Sequence, residues 1–172
     1  MSAGHLHVTG GCLRMRALAR LLVGAFLVSL SIVGVSTAAQ ANGTGMQGCT
    51  PGYWKNHTDS WQEANPSQLV KNKYADATAH VADWTLLEAL KAKGGSGVDG
   101  ASEILVRAAV AAWLNASNDN VGYPWRREQT GLDGRPALVP TVNAAFASGD
   151  RDTMIDLAAQ LDADNNLGCP LN

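Results

Sequence analysis

The residues with the densest chemistry sit in one short block, Cys49-Thr50-Pro51-Gly52-Tyr53-Trp54-Lys55-Asn56-His57, with Trp61 close behind. Aromatic faces beside amide, ammonium and imidazole groups form a sugar-binding repertoire. Rings stack on the apolar faces of pyranoses, while Lys55, Asn56 and His57 reach hydroxyls. Tyr53, Trp54, Lys55, Asn56, His57 and Trp61 are therefore candidate ligand-binding residues. The competing reading is packing: Trp54 and Trp61 are seven apart, the spacing of one helical face, and such indoles usually belong to a core. Trp125, in a loop beside Arg126 and Arg127, is the remaining candidate contact residue, with packing over the domain as a lid as its alternative.

Other constellations carry less. A metal site would have to combine His57 and His80 with a carboxylate such as Asp59, Asp76 or Asp83; His80 and Asp83, three apart, would lie together if that stretch is helical. There is no H-E-x-x-H and no dense His/Cys cluster, so no metal and no cofactor is expected. Asp162 to Gly168 begins like a calcium loop, but Leu167 stands where that loop needs glycine, and a helix C-terminal turn is the better account. A G-x-S-x-G elbow is absent, and Glu63, Glu88 and Glu103 define no testable acid–base pair, so no catalytic residue is assigned. Asn42, Asn56 and Asn115 lie in N-x-S/T triplets.

The segments that carry these groups read as helices. Thr50-Pro51 is an N-cap followed by proline at the first helical position, predicting a short helix through Tyr53 to His57. Asn65-Pro66 repeats the signal before 67–74. Asp83 is the expected cap of a third helix to about Lys93, with Trp84, Leu87 and Leu90 on one stripe. The strongest helical period runs from Asp99 to Ala116, where Ile104, Leu105, Ala108, Ala109, Ala112 and Trp113 recur and the alanines permit close approach. Residues 118–135 read as an ordered loop. Pro140 is expected to start a helix to about Ser148, and Gly149-Asp150 to cap the last one, with Met154, Leu157, Ala158 and Leu161 facing inward. No β-branched alternation is long enough for a sheet. The expectation is an all-α domain of five to six short helices.

Residues 1–41 are read as an address. Arg14, Arg16 and Arg20 precede an apolar run, 21–35, and Ala39 and Ala41 supply an A-x-A cleavage pair. Met15 offers an alternative start, so 1–14 is given no functional weight. The apolar run is shorter than the roughly 20 residues of a spanning helix, so no membrane anchor is expected after cleavage. The mature part, 42–172, keeps all fifteen acidic residues and ten of the thirteen basic ones, a formal charge of −5 against −2 for the chain. That balance disfavours nucleic acid and anionic lipid as partners. Its two cysteines, Cys49 and Cys169, in an exported chain favour a disulfide over a metal site or nucleophile.

The 49–57 block, Trp61, the Ala-Ala-Val-Ala-Ala-Trp-Leu-Asn-Ala run from Ala108 and the closing Asn-Asn-Leu-Gly-Cys-Pro together resemble a secreted bacterial domain found in cell-surface and extracellular-matrix proteins. The resemblance covers the mature chain. It implies a non-catalytic domain but brings no activity with it. No LPXTG-like motif follows Cys169, which departs from anchored examples and favours free release or retention through a partner. The expected function is thus a secreted structural or adhesion domain, extracellular, surface-bound or periplasmic, that binds a protein or polysaccharide. A small carbohydrate-binding module is the alternative and an extracellular hydrolase the third.

Overall fold

The computed structural model describes residues 46–172, so the expected signal peptide and the Asn42 triplet lie outside the described residues. Among the described residues the fold is all-α: five helices with three 3-10 turns, two isolated bridges and no strand. Helix α1, Pro51–Asn56, starts as its sequence predicts, with Thr50 Oγ1 accepting from the Tyr53 amide at 3.0 Å and Pro51 at the first position. It ends at His57, and a 3-10 turn, Thr58–Ser60, follows. Trp61 therefore does not share a helical face with Trp54. Its indole Nε1 donates instead to the Trp54 carbonyl oxygen at 3.0 Å.

The next two expected helices shrink for a single reason. Asn65 Oδ1 accepts from the Ser67 amide (3.0 Å) and hydroxyl (2.8 Å), turning the chain. The backbone after Pro66 then pairs with 82–87: Val70 donates to Trp84 (2.9 Å), Leu86 donates to Gln68 (2.8 Å), and Leu69 bridges Thr85. Amides and carbonyls used between segments are no longer free for helical bonds. Only a 3-10 turn, Val70–Asn72, survives of the first helix, and α2 is reduced to Leu86–Ala89. Its cap is Thr85, in a reciprocal box with Glu88, rather than Asp83, which pairs with Lys71 on the surface at 2.6 Å. Trp84 precedes the helix and is only half-buried.

Helix α3, Gly97–Ser117, is the long helix expected near 99–116, and every residue from Ala108 to Asn115 is buried. A helix apolar on all sides must be surrounded, and α3 is the element on which the others pack. A Cβ on Gly100 would run into the Gly95 backbone, which lies against the first turn. The 118–137 stretch is an ordered loop with a 3-10 turn at Leu132–Gly134. Helix α4, Leu138–Ala147, begins two residues before Pro140, whose missing amide falls harmlessly in the first turn. Helix α5, Arg151–Asn165, is capped by Asp150, which accepts from the Thr153 amide at 2.8 Å. Its Met154, Leu157, Ala158 and Leu161 are buried as expected. Ser102 meets Met154 at one end (3.6 Å) and Asn115 meets Asn165 at the other (2.9 Å), so α3 and α5 run side by side in the same direction.

The two ends of this unit are joined. Cys49 and Cys169 form a disulfide across a separation of 120 residues, and the Gly48 amide donates to the Gly168 carbonyl at 3.1 Å. A side chain at Gly48 would collide with the Asp164 carbonyl oxygen, which explains the glycine beside the bridge.

Candidate functional site

Behind the disulfide lies a buried polar network centred on Asn115, which has no solvent exposure. Its Oδ1 accepts from the Cys49 amide (2.8 Å) and from the Trp54 indole (3.1 Å). Its Nδ2 donates to the Cys49 carbonyl (2.9 Å) and to Asn165 Oδ1 (2.9 Å). All four hydrogen-bonding valences of the amide are thus used. Asn165 Oδ1 also accepts from the Tyr123 hydroxyl (2.9 Å), and its Nδ2 donates to the Ala108 carbonyl (3.0 Å). Burial, then the Asp164 charge, push the Tyr123 hydroxyl well above its ordinary pKa, so it donates as a neutral phenol. The Asn115 triplet is consequently unavailable for glycosylation in the folded chain.

One residue earlier on α5, Asp164 accepts from the Trp125 indole at 2.7 Å and takes both arms of Arg135, at 2.6 and 2.8 Å. Trp125 is 2% exposed, so it is packed into the core rather than laid over it, and its indole is not offered outward. Burial raises the Asp164 carboxyl, but the Arg135 and Trp125 hydrogen bonds and the Arg135 charge outweigh it, leaving the group below the ordinary aspartate value of 3.8. A carboxyl depressed in the native state stabilises the fold above its unfolded pKa, and that contribution is lost as pH falls through the native value. Asp164→Asn is expected to cost about 2 kcal/mol at neutral pH, somewhat less than a fully buried pair because Arg135 is half-buried. Urea unfolding should find the gap to wild type narrowing below about pH 4. A gap unchanged from neutral to strongly acidic pH would rule the ion pair out as its source.

The 49–57 block is divided between inside and outside. Cys49 and Trp54 are fully buried, whereas Lys55, Asn56 and His57 are exposed and Tyr53 is half-buried. The Tyr53 ring stacks on His57, with centroids 4.2 Å apart and planes at 11°, and stands edge-on to Trp54 at 5.2 Å. His57 Nδ1 lies 2.9 Å from the Tyr53 carbonyl, which only accepts, so Nδ1 donates in this contact and Nε2 is left facing outward without a partner among the described residues. The Tyr53 hydroxyl reaches the Leu171 carbonyl at 3.5 Å, linking the block to the far end of the chain. Of the seven candidate ligand residues, Tyr53 and His57 form this outer stack, Lys55 and Asn56 are exposed on the same short helix, Trp61 is half-buried, and Trp54 and Trp125 are turned into the core.

His80 pairs with Glu103 at 3.0 Å rather than with Asp83, and His57 is held by its own helix. Among the described residues no group of three or more His, Cys, Asp or Glu side chains could hold a metal ion, and no helix is long and apolar enough to cross a membrane. Asp162 to Gly168 is the C-terminal end of α5 and its turn, with Asp164 and Asn165 engaged inward.

Asn115 entered the sequence reading only as an N-x-S/T triplet, Asn165 only within the calcium-like run and Arg135 only as the end of the 118–135 loop; none was read as a partner in the core. A signal existed for the two asparagines. Asn115 continues the Ala108–Ala112 stripe of α3 and Asn165 the Met154–Ala158–Leu161 stripe of α5, so each is polar where the helical register demands core. Comparison of the chain with protein-family models, with curated proteins and with solved structures finds no match.

Proposed function

We propose that this chain is an exported, non-catalytic binding domain of the cell surface or extracellular matrix, which holds a protein partner or a surface polymer. The observation that carries the reading is the division of the 49–57 block. Cys49 and Trp54 are fastened inward by Asn115, while Tyr53, Lys55, Asn56 and His57 present an aromatic pair and hydrogen-bonding groups outward. A surface backed by a disulfide and a satisfied polar network loses little freedom on binding, which favours recognition. Export rests on the pattern of residues 1–41, and the disulfide suits an oxidising compartment. Sugar recognition remains the second reading because the half-exposed Tyr53 ring stacks on exposed His57, with exposed Asn56 next to it on α1, although Trp54 and Trp125 no longer contribute to it.

The test is co-sedimentation of the purified, oxidised domain with washed cell envelopes and with matrix polymer. Retention is expected, and Tyr53→Ala/His57→Ala and Lys55→Glu/Asn56→Ala should each weaken it about ten-fold, the effect of losing one contact of about 1.4 kcal/mol. Protease treatment of the envelopes separates a protein partner from a polymer. No retention on any fraction, or full retention by both variants with unchanged melting, would remove the proposal.

A further inference from the structure

A cleft of about 530 Å³ is bordered by Asn72 and Lys73, the C-terminal part of α3, residues 126–129 of the loop, and Val139. Its size lies within the roughly 300–1,000 Å³ of ligand sites. No residue of α1 lines it. Lys73, Arg126 and Arg127 face it against one carboxylate, Glu128, with the amides of Asn72 and Gln129 nearby. This grouping runs against the charge of a mature chain holding fifteen acidic and ten basic side chains.

All three cations are held in place, and two of them, Lys73 and Arg126, are held without a carboxylate among the described residues. Lys73 Nζ lies 3.7 Å and Arg127 Cζ 5.2 Å from the centroid of the Trp113 ring, within reach of its π face. Lys73 also donates to the Glu63 carbonyl (3.3 Å), and Arg127 forks onto the Glu63 carboxylate (2.6 and 3.3 Å). Glu63 has φ 55, a left-handed conformation costing a non-glycine residue on the order of 1–2 kcal/mol, so one strained residue latches two cations. Arg126 donates to the Tyr123 and Trp125 carbonyls at 2.7 and 3.4 Å. Among the described residues neither Lys73 nor Arg126 has a carboxylate partner. Even with Glu63 counted, cations outnumber carboxylates here by three to two. Burial and the Arg127 charge lower the Lys73 pKa, with Glu63 opposing them, as befits a cation short of an anion.

We propose that this cleft recognises carboxylate-bearing sugars, the uronate units of an acidic surface polysaccharide. The inference rests on the surface-polymer reading above and gives that polymer its chemistry. Guanidinium and ammonium groups match a carboxylate, the Asn72 and Gln129 amides both donate to and accept from hydroxyls, and half-buried Val139 offers apolar surface to a ring's C–H face, while buried Trp113 serves to seat the cations. An acidic peptide would satisfy the cations as well, and polyglutamate in the titration below separates it from a uronate.

Isothermal titration of the oxidised domain with oligogalacturonate tests this, beside a neutral oligosaccharide of equal length, polyglutamate and inorganic phosphate. The uronate should bind, more weakly as salt rises, and the neutral sugar should not. Lys73→Gln and Arg126→Gln should each weaken binding about ten-fold, while Lys73→Arg restores it to within about three-fold. Far-UV circular dichroism and melting establish that each variant is folded. Absence of uronate binding, or binding untouched by both glutamine variants, overturns the proposal. Polyglutamate or phosphate binding as tightly as the uronate overturns it as well, in favour of a peptide or an unselective anion site. Envelope retention persisting without uronate binding discards the cleft alone, whereas loss of both discards the binding-domain reading.

Discussion

Replacing Cys49 and Cys169 together by alanine is expected to lower unfolding stability by about 4–5 kcal/mol. The bridge joins residues 120 apart, and closing a loop of that length removes about that much chain entropy from the unfolded state. Against a typical total of about 5–15 kcal/mol this is a large share. The folded form should nevertheless persist, because the Gly48–Gly168 bond and the Asn115 contacts to Cys49 do not require sulfur. Urea denaturation is the measurement: the midpoint should drop sharply and the m-value rise, since the uncrosslinked unfolded chain exposes more surface. A loss below about 1 kcal/mol would mean that the non-covalent clasp already confines the ends in the unfolded ensemble.

Asn115→Ala is expected to be nearly as costly, about 3–5 kcal/mol. The substitution strips partners from the Cys49 amide and carbonyl and from the Trp54 indole, and it removes one donor to Asn165. Each buried group left unpaired costs about 1–3 kcal/mol, and the vacated volume adds a cavity term. Asn115→Asp provides a control, keeping the acceptor that serves Cys49 and Trp54 while losing both donors. The two largest effects should also be coupled. In the background lacking the disulfide, Asn115→Ala should cost less than in wild type if both hold the same segment, a difference of about 1 kcal/mol or more in a double-mutant cycle. Strict additivity would show that Asn115 serves α3 and α5 independently of the clasp.

Much of the frame was legible because it is encoded locally. Thr50-Pro51 and Asp150 are caps whose chemistry is complete within four residues, and the α3 and α5 stripes repeat every turn. The failures share a cause. The segments 67–74 and 83–93 carry helical patterns, yet their backbones pair with each other, and no window of one segment reveals the other. Trp61 was placed by periodicity on a helix that stops at His57. The outward half of the candidate site, Tyr53 and Lys55 to His57, was readable as a block, but which of its members would face solvent was not.

An all-α domain, its central and last helices and the two cysteines that close it follow from composition, caps and period, which act over a few residues. Tertiary structure alone decided that Trp125 would lie under Asp164 and Arg135, that Asn115 would hold Cys49 and Trp54, and that Lys73 and Arg127 would meet over Trp113. Each of these contacts joins residues distant in sequence. Hydrogen bonds and charge contacts depend on where side chains arrive after the helices pack, and helical period carries no record of that arrival.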